Sequence, residues 1–219
     1  MLKADLHIHT EYSMDCNTPL EKIISRCQEL GINCIAIADH GTAEGALKMQ
    51  AMAPFTVIVA EEILTPHGEI MGMFLKETVP TRIPLEEAIA HIRAQDGLVN
   101  IPHPFEFIRH SSLNSRVIEE IVEQIDVMEA FNARSPFLAN SLKVQAFAQK
   151  HDIAQSAGSD AHTLQEIGNA YVEMPEFNGK DDFLQALSQG IIHGHRSSLA
   201  MRFFSTWAKL KNQFLKGGN

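Results

Sequence analysis

Two residue pairs in this sequence share one spacing. His7 and His9 lie two apart in LKADLHIH, and Asp160 and His162 lie two apart in GSDAH. In extended backbone, residues i and i+2 project to the same face, so each pair can aim two side chains at one point. Other imidazoles and carboxylates also follow short apolar runs: Asp39 and His40 after CIAIA, Glu61 and Glu62 after TVIVA, and His103 within IPHP. Imidazole and carboxylate together suit Zn²⁺, Mn²⁺ or Fe²⁺, and without thiolates in the set a structural Cys-rich zinc site is not expected. The candidates outnumber the four ligands of one tetrahedral ion. A cluster of two or three divalent ions with a bridging carboxylate is the simpler account.

Each motif has a plainer reading by itself. HxH could be two ordinary strand residues, and DHG a turn with Asp and Gly in their usual places. GSDAH could open a helix, with Ser159 or Asp160 accepting from first-turn N–H groups. Their shared position is what carries weight, and it follows from the elements that must hold them.

Apolar runs at 2–6 (β), 34–39 (β), 56–60 (β), 98–101 (β), 126–131 (β), 152–157 (β) and 170–174 (β) alternate with amphipathic stretches. The latter predict helices at 19–30, 43–52, 84–97, 115–124, 136–150 and 181–188. Pro19 suits a first helical turn and Gly31 a stop. ILTPHGEIMGMFL suggests a hairpin or excursion around residues 66–68. Some seven alternations joined by short connections predict an α/β fold with a largely parallel sheet; whether that sheet closes is not set by periodicity. The C-terminal ends of such strands converge on one face, where active sites are built. Five of the eleven histidines fall at those ends.

Composition narrows the classes. A chain of 219 residues with 45% hydrophobic content can bury a sizeable core. A net charge of −9 argues against a general nucleic-acid-coating surface. No apolar run approaches the ~20 residues of a bilayer span, and no signal-peptide core is present, so no membrane partner is expected. Three cysteines without CxxC spacing make a reducing, cytoplasmic setting the default. With no repeat or Gly/Ser linker, residues 1–219 are expected to form a single domain. Residues 196–219 read as a basic amphipathic helix, with Phe203, Trp207, Leu210 and Phe214 as an apolar stripe that packs on the barrel or a partner. The oligomeric state is left open.

Taken together, these motifs resemble the PHP family, the polymerase and histidinol phosphatase superfamily. DLHIHTEYSMD matches its HxH opening with a downstream acid, IAIADHG its second motif, VAEEI its third, IPHP its fourth and GSDAH its closing DxH. The resemblance implies a distorted (β/α)7 barrel, TIM-barrel-like, with two or three divalent ions (Zn, Mn or Fe) on the C-terminal strand face. It implies that His7, His9, Glu62 and Asp160 hold one ion. Asp15, His40 and His162 would help hold a second, and His103 with Glu62 would complete a third. Ala60 replaces the glycine usual before the motif's glutamate, which leaves Glu61 against Glu62 open, with the alignment favouring Glu62. Asn132 stands where some members carry a histidine ligand, making it a possible third-site residue.

The implied activity is hydrolysis of phosphate esters by a hydroxide generated between the ions, with Asp15, His40, Asp160 and His162 as the catalytic set. The expected substrate is a small phosphomonoester or short nucleotide. One alternative is a nuclease trimming short RNA or DNA ends; another is a non-catalytic metal-stabilised module in a larger assembly. Arg134 in FNAR and His195 in IIHGHR are candidates for the substrate phosphate, a guanidinium fork being suited to it. Arg109, His110 and His193 are weaker substrate candidates.

Overall fold

The computed structural model describes residues 1–106, 109 and 111–197. Of the expected C-terminal helix, residues 196 and 197 are described and are not helical; residues 198–219 and His110 lie outside the described residues. Nine strands form one sheet: β1 (Leu2–Ile8), β2 (Cys34–His40), β3 (Thr56–Thr65), β4 (Gly68–Met73), β5 (Leu98–Ile101), β6 (Val127–Asn132), β7 (Ala154–Gly158), β8 (Ala170–Met174) and β9 (Ile191–Gly194). Among the described residues six α-helices accompany them: α1 (Leu20–Leu30), α2 (Glu44–Met52), α3 (Leu85–Ala94), α4 (Ser115–Glu120), α5 (Leu138–Lys150) and α6 (Gly179–Ser188). Pro19 precedes α1, and Gly31 ends it at φ 68°, a left-handed conformation that glycine adopts without a Cβ clash.

The sheet runs β7-β6-β5-β4-β3-β2-β1-β8-β9 and curls until its ends meet, giving a nearly closed barrel. Ile8 bridges Ala161 in parallel, the His9 N–H donates to the Ala161 carbonyl at 2.9 Å, and the Ser159 N–H donates to Asp5 Oδ1 at 2.9 Å. The parallel pairs are β1–β2, β2–β3, β5–β6 and β6–β7. Three features depart from a regular (β/α)7 alternation. The excursion after β3 is a full hairpin whose return strand, β4, runs antiparallel between β3 and β5. AYVEM, expected to continue the parallel series, pairs antiparallel with the start of β1. β9, which the sequence reading did not anticipate, extends that flap. Its side chains are exposed or half-buried, so it carries little apolar patterning.

Alternation along the strands sorts side chains into two layers. Ile35, Ile37, Val57 and Val59 face outward and pack with Ile23 and Cys27 of α1, Met49 of α2 and Ile92 of α3. Ala4, Leu6, Ala36, Ala38, Ile58, Ala60 and Ala157 face inward. Alanines dominate that list because a barrel this narrow has no room for larger side chains. Phe183, Ala186 and Leu187 of α6 pack with Leu2, Leu98 and Val127, which begin β1, β5 and β6. Helix α6 thus plugs the N-terminal end and leaves the opposite mouth for polar groups.

Closure depends on Gly158. A Cβ there would press against the Cβ of His7 and lie 2.8 Å from its backbone nitrogen, neither of which can turn aside. Gly158→Ala is therefore expected to destabilise the fold by about 1–3 kcal/mol, the range for overpacking a tight core. Urea unfolding checks this, and an unchanged midpoint would show that the seam can open without loss.

Candidate metal centre

The strand ends at the open mouth deliver the side chains. On β1 and just beyond it, His7 and His9 point the same way, their Nε2 atoms 3.1 Å apart. Glu62 on β3 lies beneath them. Its Oε2 is 3.4 Å from His7 Nε2, 3.4 Å from His9 Nε2 and 3.3 Å from Nδ1 of His40, the last residue of β2. Its other oxygen is 3.0 Å from His103 Nε2, after β5. Asp160, past the end of β7, brings Oδ1 within 3.3 Å of His9 Nε2. Asp15 Oδ2 lies 3.4 Å from His40 Nε2 and 3.3 Å from His162 Nε2. All eight residues expected as ligands thus meet in one cluster.

Two of them hold unusual backbone. His103 has φ 33° and Asp160 φ 53°, in the left-handed region that non-glycine residues seldom occupy. Such strain persists where surrounding structure holds it, and it collects at functional sites. The two adjacent glutamates point to different surroundings. Glu62 faces the cluster, while Glu61 points away and accepts from the Val79 N–H at 2.9 Å.

Burial and charge shape the chemistry. His7, His9, Glu62 and Asp160 are at most 1% exposed, whereas the side chains of Asp15 and His40 are 14% and 20% exposed, so approach is from their side. Burial opposes ionisation of Glu62, but the His7 and His40 charges outweigh it and hold the carboxyl well below its usual range. Asp160 is likewise held low against burial, by Arg109 and His7. Burial also opposes protonation of His40, yet the Glu62 and Asp15 carboxylates hold it up at about 10. Burial and then the neighbouring His162 push His9 down to about 3.

These carboxylates demand positive charge, and the donor geometry suits a cation. Glu62 Oε2 is buried with no hydrogen-bond partner, although three ring nitrogens surround it. Among the described residues, three sets of donor atoms lie within 4.8 Å of one another: His9, Asp15, His40 and His162; His7, His9 and Glu62; and His40, Glu62 and Glu69. Nitrogen and oxygen donors at this spacing fit Zn²⁺, Mn²⁺ or Fe²⁺.

The remaining candidates divide. Arg134 is 8% exposed, with Nη1 2.6 Å from His162 Nδ1 and Nε 3.4 Å from Glu166 Oε1, so it lies against the cluster. Arg109 donates to Asp160 Oδ2 at 2.7 Å. His195 is exposed; the strap carrying it is tied to the end of β6 through the Ser197 N–H and the Ala133 carbonyl, at 2.8 Å. His193 stacks on Tyr171 with ring centroids 5.0 Å apart, on the flap and apart from the cluster. Asn132 uses its amide on neighbours: Nδ2 donates to Glu129 and Asp160, and Oδ1 accepts from the Arg134 N–H.

Sequence reasoning missed Glu69, Glu129 and Glu166. Glu69 reaches His40 and His103, at 3.5 and 3.7 Å, only because β4 folds back along β3. Glu166 accepts from the His162 N–H at 3.1 Å, four residues on. Only Glu129 left a signal: strand alternation puts it on the same inner face as Val127.

Residues 5–67 match the PHP domain and residues 139–191 match a domain described as PHP-associated. An uncharacterized protein of Methanocaldococcus jannaschii, MJ0417, is 36% identical over 180 residues, which span 81% of this chain and 72% of its own. The chain belongs to the PHP family. A second uncharacterized M. jannaschii protein, MJ1587, is 33% identical over 144 residues, 60% of this chain and 84% of that one. Among solved structures, a two-domain Bacteroides vulgatus protein containing a predicted PHP-like metal-dependent phosphoesterase superposes with a TM-score of 0.69 at 13% identity. That match covers 89% of this chain but 65% of the other, so this PHP chain spans under two thirds of that protein. An amidohydrolase from Chromobacterium violaceum, solved with bound sulfate and no metal, gives 0.66 at 15% identity over 90% of this chain and 99% of its own. At such identities the likeness is one of fold, the TIM-barrel-like fold of PHP proteins. The PHP family is one of metal-dependent phosphoesterases.

The contrast between the two adjacent glutamates yields a pH prediction. Burial lifts Glu61 from its ordinary 4.5 to about 8. The folded protein therefore retains that proton when the unfolded chain has lost it, and stability falls as pH rises from about 4.5 to about 8. Glu61→Gln is expected to flatten the decline of Tm between pH 5 and pH 8. Equal slopes in thermal scans of the two proteins would contradict the assignment.

Proposed function

We propose that this PHP protein hydrolyses phosphate esters with two or three divalent ions of Zn, Mn or Fe, and that its substrate is a small phosphomonoester or nucleotide. The observation that carries the reading is Glu62 Oε2, buried and without a hydrogen bond among three imidazole nitrogens. A divalent cation would take that oxygen and the ring nitrogens as common ligands, where imidazolium charges otherwise have to compensate the carboxylate. In this reading His7, His9, Glu62 and Asp160 bind one ion. Asp15, His40 and His162 bind a second, and His103 with Glu62, joined by Glu69, serves a third.

Divalent ions held this way supply an activated water at neutral pH and neutralise charge on phosphoryl oxygens. The protein's own groups do the rest. Buried His7, His9 and Asp160 keep bulk water from the inner side of the cluster. Asp15 and His40, the more open pair, border the path by which a phosphoryl group enters. Arg134, against His162, offers a guanidinium to the incoming phosphate, and exposed His195 contributes from the rim. Arg109 on Asp160 restrains that carboxylate. Entry past Asp15 and His40, with the rest of the cluster buried, favours a terminal phosphate over the interior of a polymer.

Phosphate release from nucleotides, sugar phosphates and short oligonucleotides tests this. Chelation is expected to abolish turnover, and Mn²⁺, Zn²⁺ or Fe²⁺ to restore it. Asp160→Ala should lower kcat/KM by more than about 100-fold, because loss of a ligand carboxylate weakens the hold on the ion that would stabilise transition-state charge. A ladder of shortened oligonucleotides would replace the small-substrate reading with that of a nuclease. A metal-loaded, folded protein without turnover on any of these would overturn the enzyme reading.

A further inference from the structure

An imidazole that binds a cation through Nε2 must carry its proton on Nδ1, and something has to keep it there. His7 Nδ1 lies 3.0 Å from Glu129 Oε1, and Glu129 is 3% exposed. The other oxygen of this carboxylate is already engaged. Glu129 Oε2 accepts from the His103 N–H at 2.6 Å and from Asn132 Nδ2 at 2.9 Å. That same Asn132 amide nitrogen donates to Asp160 Oδ2 at 3.2 Å, while its Oδ1 accepts from the Arg134 N–H at 2.9 Å. One buried carboxylate therefore touches His7 directly, the backbone of His103 directly, and Asp160 through Asn132.

We infer that Glu129 is a positioning residue: its carboxylate fixes the His7 proton on Nδ1, turns Nε2 toward the cation, and with Asn132 holds Asp160 in place. This inference rests on the reading of His7 as a metal ligand. It also gives Asn132 a role other than that of a third-site ligand, since its amide is used between two carboxylates and a backbone N–H. The donor arithmetic makes the claim specific. Oε2 faces two donors, the His103 backbone N–H and the Asn132 amide nitrogen, and neither can accept a hydrogen bond. A glutamine at this position must give its single oxygen to them, since its NH₂ would meet donors on that side. The NH₂ then faces His7 Nδ1, which has to accept, and the proton moves to Nε2, where it blocks the metal. Glu129→Gln changes one atom's chemistry without removing volume or opening a cavity.

The experiment uses the full chain, labelled with ¹⁵N-histidine and loaded with zinc. Long-range ¹H–¹⁵N correlations report which His7 nitrogen carries the proton and which carries zinc, and competition with a chromophoric chelator reports zinc affinity. In the wild type, His7 is expected to show a protonated Nδ1 and zinc on Nε2. In Glu129→Gln that signature should vanish from His7 and zinc affinity should fall about 10–100-fold, the usual effect of losing an outer-shell partner, with the far-UV spectrum unchanged. A merely structural role for Glu129 would not move the tautomer. Wild-type His7 binding zinc through Nδ1, or a variant that keeps both signature and affinity, would overturn the inference. If the variant does not fold, the wild-type spectrum decides alone. A protein that shows the expected signature but releases no phosphate would overturn the phosphoesterase reading and leave this one standing. A wild type that binds no zinc would overturn this inference, whereas the phosphoesterase reading would still stand or fall by turnover with Mn²⁺ or Fe²⁺.

Discussion

Five imidazoles and a set of carboxylates are gathered into one buried volume, and the rest of the structure answers to the electrostatics of that gathering. Charges this close and this dry are tolerated only if they compensate one another. Glu62 shows the constraint most directly, with one oxygen among three ring nitrogens and the other on a fourth. Its pull on His40 and the opposite displacement of His9 come from the same crowding, since not every imidazole in the cluster can be charged at once. Arg109 and Arg134 bring further positive charge to the rim. A divalent cation would answer the same demand with a smaller body and a higher charge.

Holding that cluster requires the barrel to be narrow, closed and plugged. Alanines on the inner face let the strands approach, Gly158 lets β7 lie against β1, and Phe183 fills the far end. Around the mouth, local clasps hold the loops. Asp39 accepts from the Thr10 N–H at 2.6 Å and from its hydroxyl at 2.7 Å, fixing the chain just past His9. Gly45 at the start of α2 permits this, since a Cβ there would run into both partners of the clasp. Asp5 performs a similar service on the other side, accepting from the Ser159 and Gly168 N–H groups at 2.9 Å each and so securing the segment that leads into Asp160. Carboxylates in this protein thus divide into those that face the imidazole cluster and those that shape the backbone around it. Sequence position alone does not separate the two: Asp39 adjoins His40, and Glu61 adjoins Glu62.

Much of the design was legible in the order of residues. The spacing of His7 with His9 and of Asp160 with His162 carries their convergence, because extended backbone repeats every two residues. The ends of β1, β2, β3, β5 and β7 were visible as apolar runs closing on polar residues, and a strand end in an α/β sheet has a defined face. Helix α1 could be bounded from Pro19 and Gly31, since each restricts the backbone locally. These are all properties of a few neighbouring residues.

What tertiary structure alone decided involves partners far apart in the chain. Glu69 meets His40 and His103 because a hairpin doubles back, and AYVEM runs antiparallel because it returns to the start of β1. No local pattern encodes the direction of a strand relative to a distant neighbour. Glu129 finds His7 across 122 residues, and Asn132, a candidate ligand by position in the sequence, spends its amide on Glu129 and Asp160 once the sheet has curled. The residue types and their local periodicity determined which side chains could bind a cation. Closure of the sheet determined which of them face one another, because hydrogen-bond partners are chosen by distance in space and not by separation along the chain.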